Sequence, residues 1–549
     1  MVTRKNMAMM LSAVFIILAG VGTTYLLWKP EPQSAEWRNS TDKATISWES
    51  TNRITPHQTT LVSRPYNIVL VTVNLLRVDH LSVYGYGRPT TPAMEELAQE
   101  SFVFSNMFTN ADYTMPNMMS IITSLYPPAH GVFDAFKDEL SSRISTLGQI
   151  LKISGYDTSW YALQMPHLDV NVGFGRGYDT IVELQKDYSN VHDITEWIKG
   201  RTDSPFFIGI NSRSIHPPYI PPPEFKDAFA DGGSKGEMAS TEEEFNREWY
   251  YNILELMETP GSVMDGVISK ETIEANPEVF NGEYAARKIF RIQDLMPEDK
   301  KIRFGFTHMM TFLAMVDPGN PDNLEYAVSL YDACILGIDQ KLVLPILDAL
   351  KESGHYDDTI IIITGDHGES LGEHLYVGHN NNFYEQLLHV PLIIRYPELD
   401  RRVNIGHMAQ SVDIMPTLLE LIDIKKPFHT QGKSLTPAME DTGSKPINDF
   451  VYGAKRAQAY VRNQDWKLVI DLERDKSEKI CKWARLYNIK NDPGERTNLC
   501  REETEQLEAM LNELVTHLDT TPKYIDKEYQ FIPEIDEKTR KRIKETGYW

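Results

Sequence analysis

The chain has 549 residues, more than one small core can use and suited to one large domain with appendages. Against 78 Asp and Glu it carries 55 Lys and Arg, a formal charge of −23, which argues against nucleic acid or an anionic membrane surface as the main partner and leaves any anionic substrate to be held by local groups. Its three cysteines, Cys334, Cys481 and Cys500, exclude a disulfide framework, contain no CxxC pair for a zinc knuckle, and leave one bridge between Cys481 and Cys500 open.

In chain order, Met7 to Trp28 is an uncharged, mostly apolar run of 22 residues, long enough to cross a bilayer as a helix. Arg4 and Lys5 before it set the N-terminus on the cytoplasmic side. A cleaved signal peptide is the rival reading. Its apolar core is normally shorter and followed by small residues, whereas Tyr25-Leu26-Leu27-Trp28 closes this run like an interfacial anchor. Both readings place the remainder outside the cytoplasm (periplasmic, extracellular or luminal), on a retained anchor in the first and secreted in the second.

Residues 31–64 are polar and rich in Ser and Thr, the composition of a linker. A buried strand is predicted at 68–73, a helix at 90–100 with Pro92 near its start, and another helix from Pro116 to 123. Strands follow at 157–162 and 206–211. Residues 231–323 break the rhythm: helical in tendency, acidic in places, rich in aromatics and Met. They read as a helical insertion packed on the core, with a lid or a membrane-facing segment as the alternative. Strong helical periodicity runs over 324–351. The four isoleucines 360–363 read as a strand covered on both faces, 391–396 as a strand and 413–422 as a helix. Strands alternating with helices imply an α/β fold on a large, mostly parallel sheet flanked by helices. After Pro446, short strands at 450–453, 459–462, 466–471 and 484–489 suggest a small antiparallel sheet, and 501–518 a helix before a charged tail. The predicted partition is an anchor 1–30, a linker 31–64, a catalytic domain 65–445 with its insertion 231–323, an antiparallel subdomain 446–500, and a helix with tail 501–549.

The strand of isoleucines ends at Gly365, with Asp366-His367-Gly368-Glu369 just beyond it. Ligands of open α/β sheets bind outside the carboxyl ends of the strands. A carboxylate and an imidazole there can hold a metal ion, activate a nucleophile, or both. The plainer alternative is that Asp366 caps the following turn.

Other segments carry matching chemistry: Asn67-Ile68-Val69-Leu70-Val71-Thr72-Val73-Asn74 with Arg77-Val78-Asp79-His80, Tyr84-Gly85-Tyr86, Arg88-Pro89-Thr90-Thr91-Pro92, Tyr113-Thr114-Met115-Pro116-Asn117-Met118, His130-Gly131-Val132, His216-Pro217-Pro218-Tyr219, Gly378-His379, Val390-Pro391-Leu392-Ile393, Val412-Asp413-Ile414-Met415-Pro416-Thr417 and Asn491-Asp492-Pro493-Gly494-Glu495. In this order they resemble the sulfatase branch of the alkaline phosphatase superfamily over roughly 66–499. The resemblance implies one divalent metal ion, with Ca, Mg, Mn and Zn all open, held by Asn74, Thr114, Asp366 and His367. It also implies Thr114 as the nucleophile, and His216 and His379 as groups that contact the substrate or protonate its leaving oxygen. The plainer role for Thr114 is a helix cap.

Three departures from the family pattern matter. Sulfatases convert a Cys or Ser to formylglycine within a Cys/Ser-x-Pro-x-Arg context, but here Thr114 stands at that position and Met118 replaces the Arg. Formylglycine is therefore not expected, and a bare threonine resembles the phosphodiesterases and phosphoethanolamine or glycerophosphate transferases of the superfamily. Asn74 stands where relatives place Asp or Glu, leaving Asp366 as the one certain carboxylate, with Asp112 as a candidate replacement. The basic residue of the strand at 157–162 is missing, Gln164 and His167 being the nearest polar groups.

Two functions compete. One is a membrane-anchored hydrolase or transferase acting on a sulfate or phosphate ester of a glycan, lipid headgroup or small molecule through a metal-activated Thr114. The other is a catalytically silent sulfatase-fold protein that binds a glycan, a lipid headgroup or a protein partner. Oligomeric state is not legible.

Overall fold

The computed structural model describes residues 59–133, 138–163, 172–184, 188, 191–202, 205–217, 219–230, 316, 318–379, 382–472 and 480–524. The predicted anchor, most of the linker and of the insertion, Gln164, His167 and the charged tail lie outside them. Among the described residues no helix is long and apolar enough to cross a membrane. The chain divides into a unit of 46–229 with 330–549, which carries both sheets and the site, and a unit of 1–45 with 230–329, of which few residues are described.

Ten strands supply the main sheet and a short ribbon: β1 Asn67–Val73, β2 Ser101–Phe108, β3 Asp157–Leu163, β4 Thr180–Leu184, β5 Phe206–Ser212, β6 Thr359–Gly365, β7 Ser370–Leu371, β8 Val377–Gly378, β9 His389–Arg395 and β10 Val403–Gln410. The sheet has eight strands in the order β10-β2-β9-β6-β1-β5-β3-β4, while β7 and β8 pair as a separate ribbon. Only β9 runs against its neighbours, so the sheet is mostly parallel as the alternation of elements predicts. The isoleucines of β6 pair with β1 on one side and β9 on the other, and every residue of β6 is buried, which is why that strand alternates with nothing polar.

The main helices are α1 Pro92–Ala98, α2 Thr114–Thr123, α3 Leu147–Ile153, α4 Val191–Lys199, α5 Pro321–Ile338, α6 Leu344–Glu352, α7 Ile414–Leu421 and α8 Thr504–Thr520. The helical period over 324–351 is two helices, α5 and α6, joined by a π-helical turn, Asp339–Val343. One large core gathers Leu70 of β1, Phe104 of β2, Ile122 of α2, Trp160 of β3, Ile362 of β6 and Leu418 of α7.

The second sheet is antiparallel, β11 Val451–Lys455, β12 Gln458–Arg462, β13 Trp466–Asp471 and β14 Ala484–Asn488, in sequential order. Leu507, Leu511 and Leu514 of α8 share its core with Val461, Leu468 and Leu486. Cys481 and Cys500 form a disulfide across this subdomain, and Cys334 is buried and not part of a disulfide.

Candidate active site

Sheet register builds the site. Val73 pairs with Gly365 on one side and with Ser212 on the other. The three central strands therefore end level, and the next residues, Asn74, Asp366 and Arg213, leave the sheet side by side. Backbone bonds hold the rank: the Asn74 N–H donates to the Ser212 carbonyl (2.8 Å) and the Asp366 N–H to the Val73 carbonyl (3.2 Å). Leu75 turns the chain sharply away with φ +61°, a left-handed conformation that a branched side chain adopts only under constraint. That turn aims its N–H at Asp366.

Asp366 is fully buried and its oxygens are taken by N–H donors. Oδ1 accepts from the His367 N–H (2.7 Å) and the Leu75 N–H (3.3 Å), and Oδ2 from the Asn74 side-chain amide (2.6 Å). The turn-capping role is thus real, and the Asp366 carboxylate also organises the first strand's end. Burial raises its pKa, with His367 and Thr114 pulling the other way. Gly368 follows because nothing larger fits: a Cβ there would meet the Gln386 carbonyl oxygen at 1.9 Å.

Thr114 lies in the first turn of α2, whose N-cap is Tyr113 and makes no side-chain cap bond. The threonine hydroxyl instead stands 3.3 Å from Asn74 Oδ1 and 3.3 Å from His367 Nε2. Asn117, one turn further along α2, donates its side-chain amide to the Asp366 carbonyl and accepts the Asn110 N–H, which pins this helix end to β6. His367 Nδ1 faces the Gly368 carbonyl at 2.8 Å. That contact puts the ring proton on Nδ1 and leaves Nε2 as the basic nitrogen facing Thr114. Burial lowers the His367 pKa, against the pull of Asp366, which favours the neutral ring.

His379 sits across the cleft, its ring 4.9 Å from that of His367 and 5.3 Å from that of His216. Its Nδ1 lies 3.3 Å from both oxygens of Glu369. Burial pushes His379 down to about 4 and Glu369 up to about 8. Burial thus disfavours charge on both partners of this contact. His216 Nδ1 faces the Pro217 carbonyl (3.2 Å), and its Nε2 lies 3.2 Å from Nη2 of Arg213, which can only donate.

All six predicted residues, Asn74, Thr114, His216, Asp366, His367 and His379, meet in one cleft. Asp112, the candidate replacement for Asn74, pairs through Oδ2 with Lys455 of β11 at 2.6 Å, and its Oδ1 is buried without a hydrogen-bond partner among the described residues. Arg213 and Lys455 are the two basic groups that sequence reasoning missed. Arg213 lies two residues past the predicted strand 206–211, which is a usable signal; Lys455 has none, since 343 positions separate it from Asp112.

The residues present do not fit a hard divalent cation as they are arranged. Such an ion prefers several carboxylate oxygens, and here one carboxylate has both its oxygens capped by N–H donors. Asn74 turns its NH2 to Asp366 and its carbonyl to Thr114.

Comparison with known proteins agrees with the fold. The sulfatase family profile matches residues 66–424, and the profile described as N-sulphoglucosamine sulphohydrolase, C-terminal, matches 372–522. An N-acetylglucosamine-6-O-sulfatase of Bacteroides thetaiotaomicron is 24% identical over 497 residues, covering 79% of this chain and 82% of the relative. A structure solved with its substrate D-glucosamine-2-N,6-O-disulfate superposes with a TM-score of 0.60 at 19% identity, covering 83% of this chain and 97% of that one. The phosphonate monoester hydrolase of Agrobacterium radiobacter gives 0.58 at 21% identity, with 83% and 95% covered. With the family profile matched from the first strand to the helix after the last strand of the main sheet, the chain belongs to the sulfatase family of sulfuric ester hydrolases.

Proposed function

We propose that this protein hydrolyses, or transfers from, an anionic sulfate or phosphate ester through an unmodified Thr114 activated by His367. The carrying observation is the 3.3 Å contact between the Thr114 hydroxyl and His367 Nε2, with Nδ1 fixed by the Gly368 carbonyl. Nucleophile, base and orienting group are the parts that activate a hydroxyl. Thr114 gives its proton to Nε2 as its oxygen bonds to sulfur or phosphorus and the ester bond to the leaving oxygen breaks. The α2 N-terminus favours the charge that develops there. With Nδ1 engaged by Glu369, His379 offers Nε2 to the leaving oxygen. The leaving oxygen departs with the proton that His367 took from Thr114, which frees Nε2; His367 then takes a proton from the water that attacks the central atom and returns it to the Thr114 oxygen as the threonine ester bond breaks.

Thr114 also bears on the choice of ester. Threonine lacks the second oxygen of a hydrated aldehyde, so sulfate cannot be expelled by elimination and water must attack the central atom. Phosphorus tolerates that route, and the reading leans to phosphoesters. The leaving group is drawn from hydroxylated molecules, since relatives named above act on sulfated glucosamines. The Cys481–Cys500 bridge supports a catalytic body in an oxidising compartment, and the apolar run from Met7 to Trp28 supports its attachment to a membrane there.

The test is turnover of aryl sulfate, phosphate monoester and phosphodiester probes by the full chain, with mass spectrometry of the Thr114 peptide. The expected result is an unmodified threonine and phosphoester turnover that is lost in Thr114→Ala. Turnover that survives loss of the hydroxyl defeats the reading.

A further inference from the structure

The loop 109–113 ahead of Thr114 is held from outside the main sheet, by strand β11 and its neighbour β12. The Ala454 N–H donates to the Asn110 carbonyl (3.0 Å), the Asn110 side-chain amide to the Tyr452 carbonyl (2.6 Å), and the Tyr460 hydroxyl to the Thr109 carbonyl (2.5 Å). The two backbones approach closely, since a Cβ at Gly453 would meet the Asn110 carbonyl oxygen at 2.5 Å. From Asn110 the contacts run on into the site. Its N–H donates to Asn117 of α2, whose amide donates to the Asp366 carbonyl, and Thr114 opens that same helix.

Asp112 stands apart from these neutral contacts. It is fully buried two residues before Thr114; its Oδ1 has no hydrogen-bond partner among the described residues, and its Oδ2 meets Lys455 Nζ at 2.6 Å. Lys455 is the last residue of β11, with its side chain 12% exposed and its ammonium 5.1 Å from the centre of the Phe383 ring. A buried ion pair adds little net stability over apolar residues of the same volume, but parting its charges strands one of them at a high cost. Such a pair selects one arrangement of the segments it joins.

We propose that Lys455 is a positioning residue for the nucleophile: through Asp112 it holds the loop 109–113 in the arrangement that turns the Thr114 hydroxyl to His367 Nε2, so that the C-terminal antiparallel sheet completes the active site. This rests on the reading of Thr114 as the nucleophile. The Thr114 hydroxyl stands 3.3 Å from both Asn74 Oδ1 and His367 Nε2, and a shift of the loop breaks both contacts. The same shift parts Asp112 from Lys455, which is what opposes it.

Kinetics and amide hydrogen exchange of the full chain test it. Asp112→Asn combined with Lys455→Met removes both charges and strands neither. This neutral pair is expected to keep the wild-type circular dichroism, to lose about tenfold in kcat on the preferred phosphoester with KM unchanged, and to exchange the amides of 109–114 faster than wild type. Asp112→Asn alone, whose amide needs no counter-charge, is expected to do the same and serves where the pair does not fold. Lys455→Arg keeps the charge and the donor, and is expected to retain kcat within about threefold and the wild-type protection of 109–114. A neutral pair with wild-type kcat and wild-type exchange overturns the proposal. So does a loss confined to KM, which puts Lys455 on the substrate instead. Turnover that survives Thr114→Ala defeats the nucleophile reading and is told apart from these outcomes, because exchange of 109–114 reports the hold of Lys455 on the loop without any turnover.

Discussion

His367 turns its two ring nitrogens to opposite tasks: Nδ1 donates to the Gly368 carbonyl at 2.8 Å, and Nε2 stands 3.3 Å from the Thr114 hydroxyl. If the imidazole is the base for Thr114, the two residues act as a unit. His367→Gln is then expected to lower kcat on the preferred phosphoester about 10³-fold, Thr114→Ala by a similar factor, and the double variant by no more than the larger of the two. Thr114→Ser keeps the oxygen and is expected to stay within about tenfold of wild type. Multiplicative losses in the double variant, measured by initial rates, contradict a shared step.

Asn74 decides whether the cleft tolerates a cation. Its NH2 donates to Asp366 Oδ2 at 2.6 Å in a fully buried setting. Asn74→Asp removes that donor and sets two carboxylates against each other, at a cost of about 3 kcal/mol for a buried uncompensated charge. The variant is expected to bind Mn²⁺ or Ca²⁺ and to regain its lost stability when the ion is added, while the wild type shows no such response. Thermal unfolding with and without the ion reads this out. A wild-type protein that gains as much from the metal as the variant does contradicts the assignment of Asp366 to hydrogen bonding.

Much of this architecture was legible along the chain because local chemistry and burial agree. The isoleucines of β6 have apolar neighbours on both faces, so composition alone marks the strand. Strand β10 was not legible: Asn404, Gly406 and His407 are poor strand formers, and the segment is extended because it pairs with β2, with a shift in register between Ile405 and Met408. Nothing local announces that β9 runs against its neighbours. At the site, Asp366, His367 and Thr114 could be named from their motifs, but the commitment of the Asp366 oxygens could not, since it depends on the left-handed Leu75 and on the amide of Asn74, 292 positions away from Asp366.

The disulfide tests the C-terminal subdomain. Cys481 and Cys500 are 19 residues apart, and closing a loop of that length removes enough unfolded-state freedom to stabilise by about 3 kcal/mol. Reduction, or the Cys481→Ser and Cys500→Ser pair, is expected to lower the urea midpoint of the β11–β14 sheet and α8. An unchanged midpoint under reducing conditions shows that this crosslink does not stabilise the subdomain.

His130 gives the protein an acid limit that is separate from the cleft. It is fully buried; Nδ1 accepts the Val132 N–H at 3.0 Å, and Nε2 faces the Pro116 carbonyl at 3.1 Å. Both nitrogens are used by the neutral ring, and a second proton on Nδ1 would oppose the Val132 N–H. Burial accordingly pushes the folded-state value from 6.5 down to about 3. Because the folded pKa lies below the unfolded one, the unfolded chain takes up the proton first as pH falls. The stabilisation is whole above pH 6.5 and is lost between there and about pH 3, at about 1.4 kcal/mol per pH unit. His130→Asn keeps a donor and an acceptor but does not titrate. Its stability between pH 7 and pH 5 is expected to fall less steeply than that of wild type by this slope, other buried histidines contributing equally to both. Parallel lines for the two proteins, from denaturant unfolding at each pH, remove His130 as the cause.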